Sequence, residues 1–300
     1  MPAGARGGAV AHGFPHLATV GEALTALFTR VSQETVSTFP LSVARAEVTF
    51  ADGDDLVLGV QRVARVMTSH LRLPDARIIV SFRDMEFAAN VELASGPEYF
   101  VELNERFRSH PEDVGAALAH EVTHVYLHRL GLRLADERAD EILTDTVATF
   151  LGAGWLLLDA YREWGEASQK FGYLTPEEFG YVMAKRADFF GEDPRPWFTS
   201  PQGYEAYTAG AARARQEWRR PPLAAAGWAG RRRYARDRRA AGEGRPPSAP
   251  DAVDYTFEGG PGGLRVTFPC PTCCRRNRLP VRGRVRARCP LCRTVLECDT

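Results

Sequence analysis

All six cysteines of the chain fall between Cys270 and Cys298, and the first 269 residues have none. A secreted disulfide scaffold spreads its cysteines through the fold, whereas clustering in pairs points to metal binding in a reducing compartment. The pairs are Cys270-Pro271-Thr272-Cys273 and Cys289-Pro290-Leu291-Cys292, with 15 residues between Cys273 and Cys289. Four thiolates at that spacing make a closed tetrahedral zinc site. In so short a segment the metal supplies most of the folding free energy. Cys274 and Cys298 stand outside the pairs. Cys274 competes with Cys273 as a ligand, but Cys273 keeps the spacing symmetrical.

Residues 263–300 resemble a zinc ribbon, two knuckles joined by a β-hairpin. The segment is basic, with Arg275, Arg276, Arg278, Arg282, Arg284, Arg286 and Arg288. Residues 211–300 carry 20 Arg, no Lys and 8 acidic residues, a net +12 that is balanced by −12 in residues 1–210. Residues 219–262 are expected to form an Arg/Pro/Gly-rich linker, with room for a short basic helix. Linker and ribbon together can dock on nucleic acid or on an acidic partner. No aromatic stacking platform is evident in the ribbon, which argues against sequence-specific reading of nucleic acid.

The rest of the chain has ordinary globular composition, 44% hydrophobic and 25% charged. Residues 1–15 are expected to be a disordered tail and do not read as a signal peptide. The longest apolar run, residues 147–158, falls short of the roughly 20 residues a membrane span needs, so no membrane partner is expected and the cytoplasm is the default location. Periodicity predicts helices over residues 17–31 and 56–71, a short strand over 46–50, and strands over 77–82, 89–93 and 99–103. A helix capped by Ser109 should run to Leu130 and stop at Gly131, and another should begin near Asp136. Thr175-Pro176-Glu177-Glu178 reads as a capping box, and a last helix covers residues 203–218.

His120-Glu121-Val122-Thr123-His124 is the HExxH pattern. Residues i and i+4 share a helix face, so both imidazoles can reach one ion, and Glu121 beside them can take a proton from the metal's water. Catalytic zinc usually has three protein ligands and an open position. The next helix offers Glu141 and Asp145, again i and i+4. Glu141 can bind zinc, and Asp145 can hold the second nitrogen of a histidine ligand.

These residues resemble the gluzincin metallopeptidases, including the thermolysin-like enzymes, which pair HExxH with a later helix carrying Glu-x-x-x-Asp. The likeness covers roughly residues 77–150, and the chain looks more like an uncharacterised bacterial HExxH family. The resemblance implies that His120, His124 and Glu141 hold a catalytic zinc. It makes Glu121 the general base and acid, with Asp145 supporting a ligand. The metzincin pattern fails, because Leu127 and Leu130 stand where it needs Gly and His. Residues 90–94 resemble the edge strand that pairs with extended substrate. His128 reads as a helix-end histidine, and Tyr173, Tyr181, Tyr204 and Tyr207 are candidates to stabilise an oxyanion.

The expected architecture is α+β. A zincin-like domain over residues 16–218, with a small sheet and active-site helices, precedes the β zinc ribbon. The expected function is zinc-dependent hydrolysis of a peptide or protein substrate, with one catalytic and one structural zinc. The alternative is a non-catalytic zinc-binding adaptor that docks through the basic C-terminal region.

Overall fold

The computed structural model describes residues 10–51, 53–94, 96–164, 167–245 and 254–300. It is mixed α and β with small sheets, and it divides into two compact units, Met1–Ala211 and Ala212–Thr300.

In the first unit, helix α1 (Leu17–Val36) buries Val20, Leu24, Leu27 and Phe28 on one stripe. The strand expected over residues 46–50 is instead a single helical turn, α2 (Arg45–Val48). β-rich composition makes a strand only where a neighbouring strand takes the backbone bonds. Here the Arg62 side chain takes the carbonyls of Glu47 and Thr49, at 3.3 and 2.8 Å. Helix α3 (Leu56–His70) starts at Asp55, whose carboxylate accepts the Leu58 N–H.

A three-stranded sheet follows, formed by β1 (Arg77–Arg83), β2 (Ala89–Glu92) and β3 (Glu98–Asn104). Its order is β1-β3-β2, with β1 parallel and β2 antiparallel to β3, so β2 lies at an edge. Along β3, Tyr99, Val101 and Leu103 point into the core while Phe100 faces out, the period of two expected of a half-buried sheet.

Helix α4 (Val114–Leu130) crosses the inner face of this sheet and is buried on every side over its first ten residues. Ser109 does not cap it. That residue closes a preceding 3-10 turn, Glu105–Arg108, and a second such turn, Pro111–Asp113, leads into the helix. Small residues at Gly115, Ala116, Ala117 and Ala119 let neighbouring helices approach closely. A Cβ on Gly115 would sit 3.0 Å from Leu156. The helix stops at Gly131, which takes φ +60°.

Helix α5 (Glu137–Ala148) is capped by Asp136 and continues through a π turn, Thr149–Ala153, into α6 (Gly154–Asp159). The run Glu137–Asp159 is long and apolar enough to cross a membrane by composition, and its most apolar window is wholly buried within the protein itself. A short strand pair, β4 (Arg162–Trp164) and β5 (Ala167–Gln169), precedes α7 (Pro176–Phe190), which carries the expected capping box at Thr175 and Glu178.

Residues 1–9 of the predicted tail lie outside the described residues. Residues 10–15, predicted to be disordered with them, are tied down. Thr175 Oγ1 donates to the Gly13 carbonyl, and the Gly13 and His16 N–H groups donate to Glu177 and Glu178. Composition marks such a segment as tail-like, but carboxylates far along the chain satisfy its backbone.

The two units divide within α8 (Pro201–Trp218). The second unit contains α9 (Trp228–Gly242) and two small sheets. One sheet is β6 (Thr256–Glu258), β7 (Arg265–Pro269) and β8 (Arg276–Pro280), and the other is β9 (Arg284–Arg288) with β10 (Val295–Asp299). Residues 219–262, expected as a linker, therefore hold α9 and β6, while residues 246–253 lie outside the described residues. The stretch is folded because it carries its own anchors. Tyr234 packs on Tyr255 and Phe257, Tyr255 donates to Asp237 at 2.8 Å, and residues 222–224 exchange backbone bonds with β10.

Candidate metal centres

Helices α4 and α5 pack together and bring three ligand atoms to one point. His120 Nε2 lies 3.0 Å from His124 Nε2 and 3.1 Å from Glu141 Oε2, and His124 Nε2 lies 3.3 Å from the same oxygen. Ligands on a tetrahedral zinc at about 2.0–2.1 Å stand about 3.3 Å apart, so the triangle has the right size for one ion.

The outer nitrogens are held as well. His120 Nδ1 donates to Asp145 Oδ1 at 2.8 Å, and His124 Nδ1 stands 3.3 Å from Thr144 Oγ1, whose own proton goes to the Asp140 carbonyl. Both imidazoles thus turn Nε2 toward the shared point, which fixes the tautomer a metal needs. Asp145 is cradled in turn by the N–H groups of Tyr173 and Leu174. Gly172 is required there. Its φ is +75°, and a Cβ would lie 2.4 Å from the Asp145 carboxylate.

The electrostatics ask for a cation at this point. Burial disfavours a charged His120, yet its hydrogen bonds to Asp145 and Glu141 outweigh that and lift it to about 10. Burial pushes Glu141 upward, but hydrogen bonds to His120 and His124 overcome it and hold the carboxyl at about 2. Glu121 differs. It is fully buried, neither carboxylate oxygen has a hydrogen-bond partner, and burial raises its pKa. An unpaired buried carboxylate is costly.

A cleft of about 860 Å³ opens onto His124 and Glu141, bordered by Leu93 just past β2 and by Leu127, Leu132 and Leu143. His128 lines the same cleft from the last turn of α4, exposed and outside the ligand triangle. Of the four tyrosines, only Tyr173 is near the triangle. Burial raises its phenol to about 12, with Glu141 and Asp145 adding to the effect. Tyr181 is fully buried against Lys185, while Tyr204 and Tyr207 pack around Phe198. Thr144 and Gly172 match no motif in the sequence. Thr144 was recoverable, since it sits three residues after Glu141 on the same face. Gly172 carries no local signal, because its role depends on a carboxylate 27 positions earlier.

In the second unit, Cys270, Cys273, Cys289 and Cys292 converge. The sulfurs of Cys270 and Cys292 are 3.6 Å apart and those of Cys273 and Cys289 are 3.7 Å apart. These distances exclude disulfides and match the spacing of about 3.8 Å expected of thiolates at about 2.3 Å on a tetrahedral zinc. The two knuckles repeat one geometry. Cys274 and Arg293, each following the second cysteine of a pair, take φ +59° and +63° and donate N–H to the first cysteine's carbonyl. Cys274 therefore serves the turn, and Cys298 is buried in β10, apart from the cluster.

Asp145→Asn keeps the shape but loses the carboxylate that orients His120. We expect metal affinity at the His120–His124–Glu141 site to fall about 10–100-fold in a chelator competition titration. An unchanged affinity would remove Asp145 from the site's support.

Comparison with protein-family models, with curated proteins and with solved structures finds no match.

Proposed function

We propose that the chain is a zinc-dependent hydrolase that acts on peptide bonds. The observation that carries this is Glu121, a buried carboxylate with no partner beside a metal-sized triangle of two histidines and a glutamate. His120, His124 and Glu141 hold the ion, the three-ligand set that leaves a position open. A divalent ion held there acidifies water and polarises a carbonyl. Glu121 takes the proton of the attacking water and delivers it to the departing amine. Asp145 and Thr144 keep the two imidazoles from turning.

The edge position of β2 supports a peptide over other amides. An extended substrate can add to the free side of β2, and the cleft beyond Leu93, lined by leucines and charged side chains alike, receives a side chain. The test is incubation with an unstructured protein and a peptide library, read by mass spectrometry. Cleavage should stop on chelation and return with zinc. A zinc-loaded protein that cuts no peptide would overturn the proposal.

A further inference from the structure

The second unit holds the 20 arginines of residues 211–300 against 8 acidic residues, and its helix α9 sorts them. At about 100° per residue, Trp228, Arg232, Arg236 and Arg239 fall within about 80° of one another on the helix surface. Tyr234 and Asp237, the buried residues of α9, lie on the opposite side. The stripe runs about 16 Å, from the 1.5 Å rise per residue.

All four side chains face solvent, and Trp228 is 75% exposed, a large aromatic left open at the start of the stripe. The Arg232 guanidinium stands over its ring at 5.4 Å. Among the described residues neither Arg232 nor Arg239 has a carboxylate partner, and Arg236 has only its neighbour Asp237 at 3.8 Å. By contrast, Arg286 on β9 is paired with Glu297 at 3.0 Å, and Arg278 on β8 with Glu258 at 2.6 Å. Among the described residues, arginines without a carboxylate partner also stand on the neighbouring strands, at Arg265, Arg284 and Arg288, but those of α9 lie beside an open aromatic face.

We propose that this face binds single-stranded nucleic acid without sequence preference. The guanidinium row tracks the phosphates, and Trp228 stacks a base. Arginine forks suit phosphate better than lysine point charges, and an indole accepts any base on its π-face. A folded duplex hides its base faces and leaves Trp228 nothing to stack, and an acidic polypeptide offers it no base. The single strand is therefore the partner that uses the whole stripe. This binding does not depend on the hydrolase reading.

The test is fluorescence anisotropy of a labelled 20-nucleotide oligothymidylate with the full zinc-loaded chain, against a duplex of equal length and against polyglutamate. The single strand should bind tightest, with affinity falling steeply as salt rises. The triple variant Arg232→Gln, Arg236→Gln, Arg239→Gln should reduce the salt slope by about 2, from about 0.7 per phosphate contact. The matching lysine triple should restore that slope. Trp228→Ala should weaken binding about 5- to 150-fold, the loss of one stacked base, and leave the slope unchanged. Zinc content and circular dichroism keep the comparison to folded protein. The proposal fails if the duplex or polyglutamate binds as tightly, or if Trp228→Ala and the glutamine triple both bind like the wild type.

Discussion

Glu121→Gln should lower hydrolysis about 10²–10⁴-fold and leave the metal in place, the range that general acid–base groups contribute. The substitution keeps the side chain's shape and removes only its capacity to carry a proton. Glu121 lies outside the ligand triangle, so His120, His124 and Glu141 still close on the ion. Stability should not suffer. The wild-type carboxylate is buried without a partner, and a neutral amide in the same place has less desolvation to offset. The check is kcat/KM on a cleaved peptide together with zinc content. A fully active glutamine variant would refute the role of Glu121, and a variant that loses zinc would make it a structural residue.

The second large effect is expected in the C-terminal unit. Cys289→Ser should unfold residues 212–300 while the first unit stays folded. The sheets here are small, two five-residue strands in one and three short strands in the other, and the four cysteines are buried together with only a few apolar side chains such as Val266, Phe268 and Leu296. A structural zinc contributes about 10–16 kcal/mol in small domains, more than such sheets can replace. Limited proteolysis should then release the C-terminal segment and spare residues 10–211. Cys274→Ser should change little, since that residue supplies a turn and not a ligand. A Cys289→Ser protein that resists proteolysis would show that packing of α9 and the hairpins suffices.

Local periodicity made much of this visible from the chain alone. His120 with His124, and Glu141 with Asp145, are neighbours because a helix repeats every 3.6 residues, whatever the rest of the fold does. The αL stop at Gly131 and the Thr175–Glu178 capping box are equally local. The cysteine pairs carry their own geometry in their spacing.

What stayed hidden depends on distant partners. Helix α9 shows no apolar stripe because it buries Tyr234 and Asp237, and the group that satisfies Asp237 is Tyr255, 18 residues on. For the same reason Trp228 reads as a linker residue until the helix turns it outward beside the arginines. Residues 46–50 have strand composition, but Arg62 takes the carbonyls that a neighbouring strand would need. Residues 10–15 look like a tail until side chains of α7 and its cap meet their backbone. Nor does spacing reveal that Glu121 has no partner, since that follows from everything packed around it.

The most direct test is zinc per chain, by elemental analysis, on the wild type and on the double variant His120→Ala, Glu141→Ala. Two zinc ions falling to one would establish a metal centre at His120, His124 and Glu141 separate from the four cysteines. One zinc in both proteins would contradict that centre and leave only the cysteine cluster as a metal site.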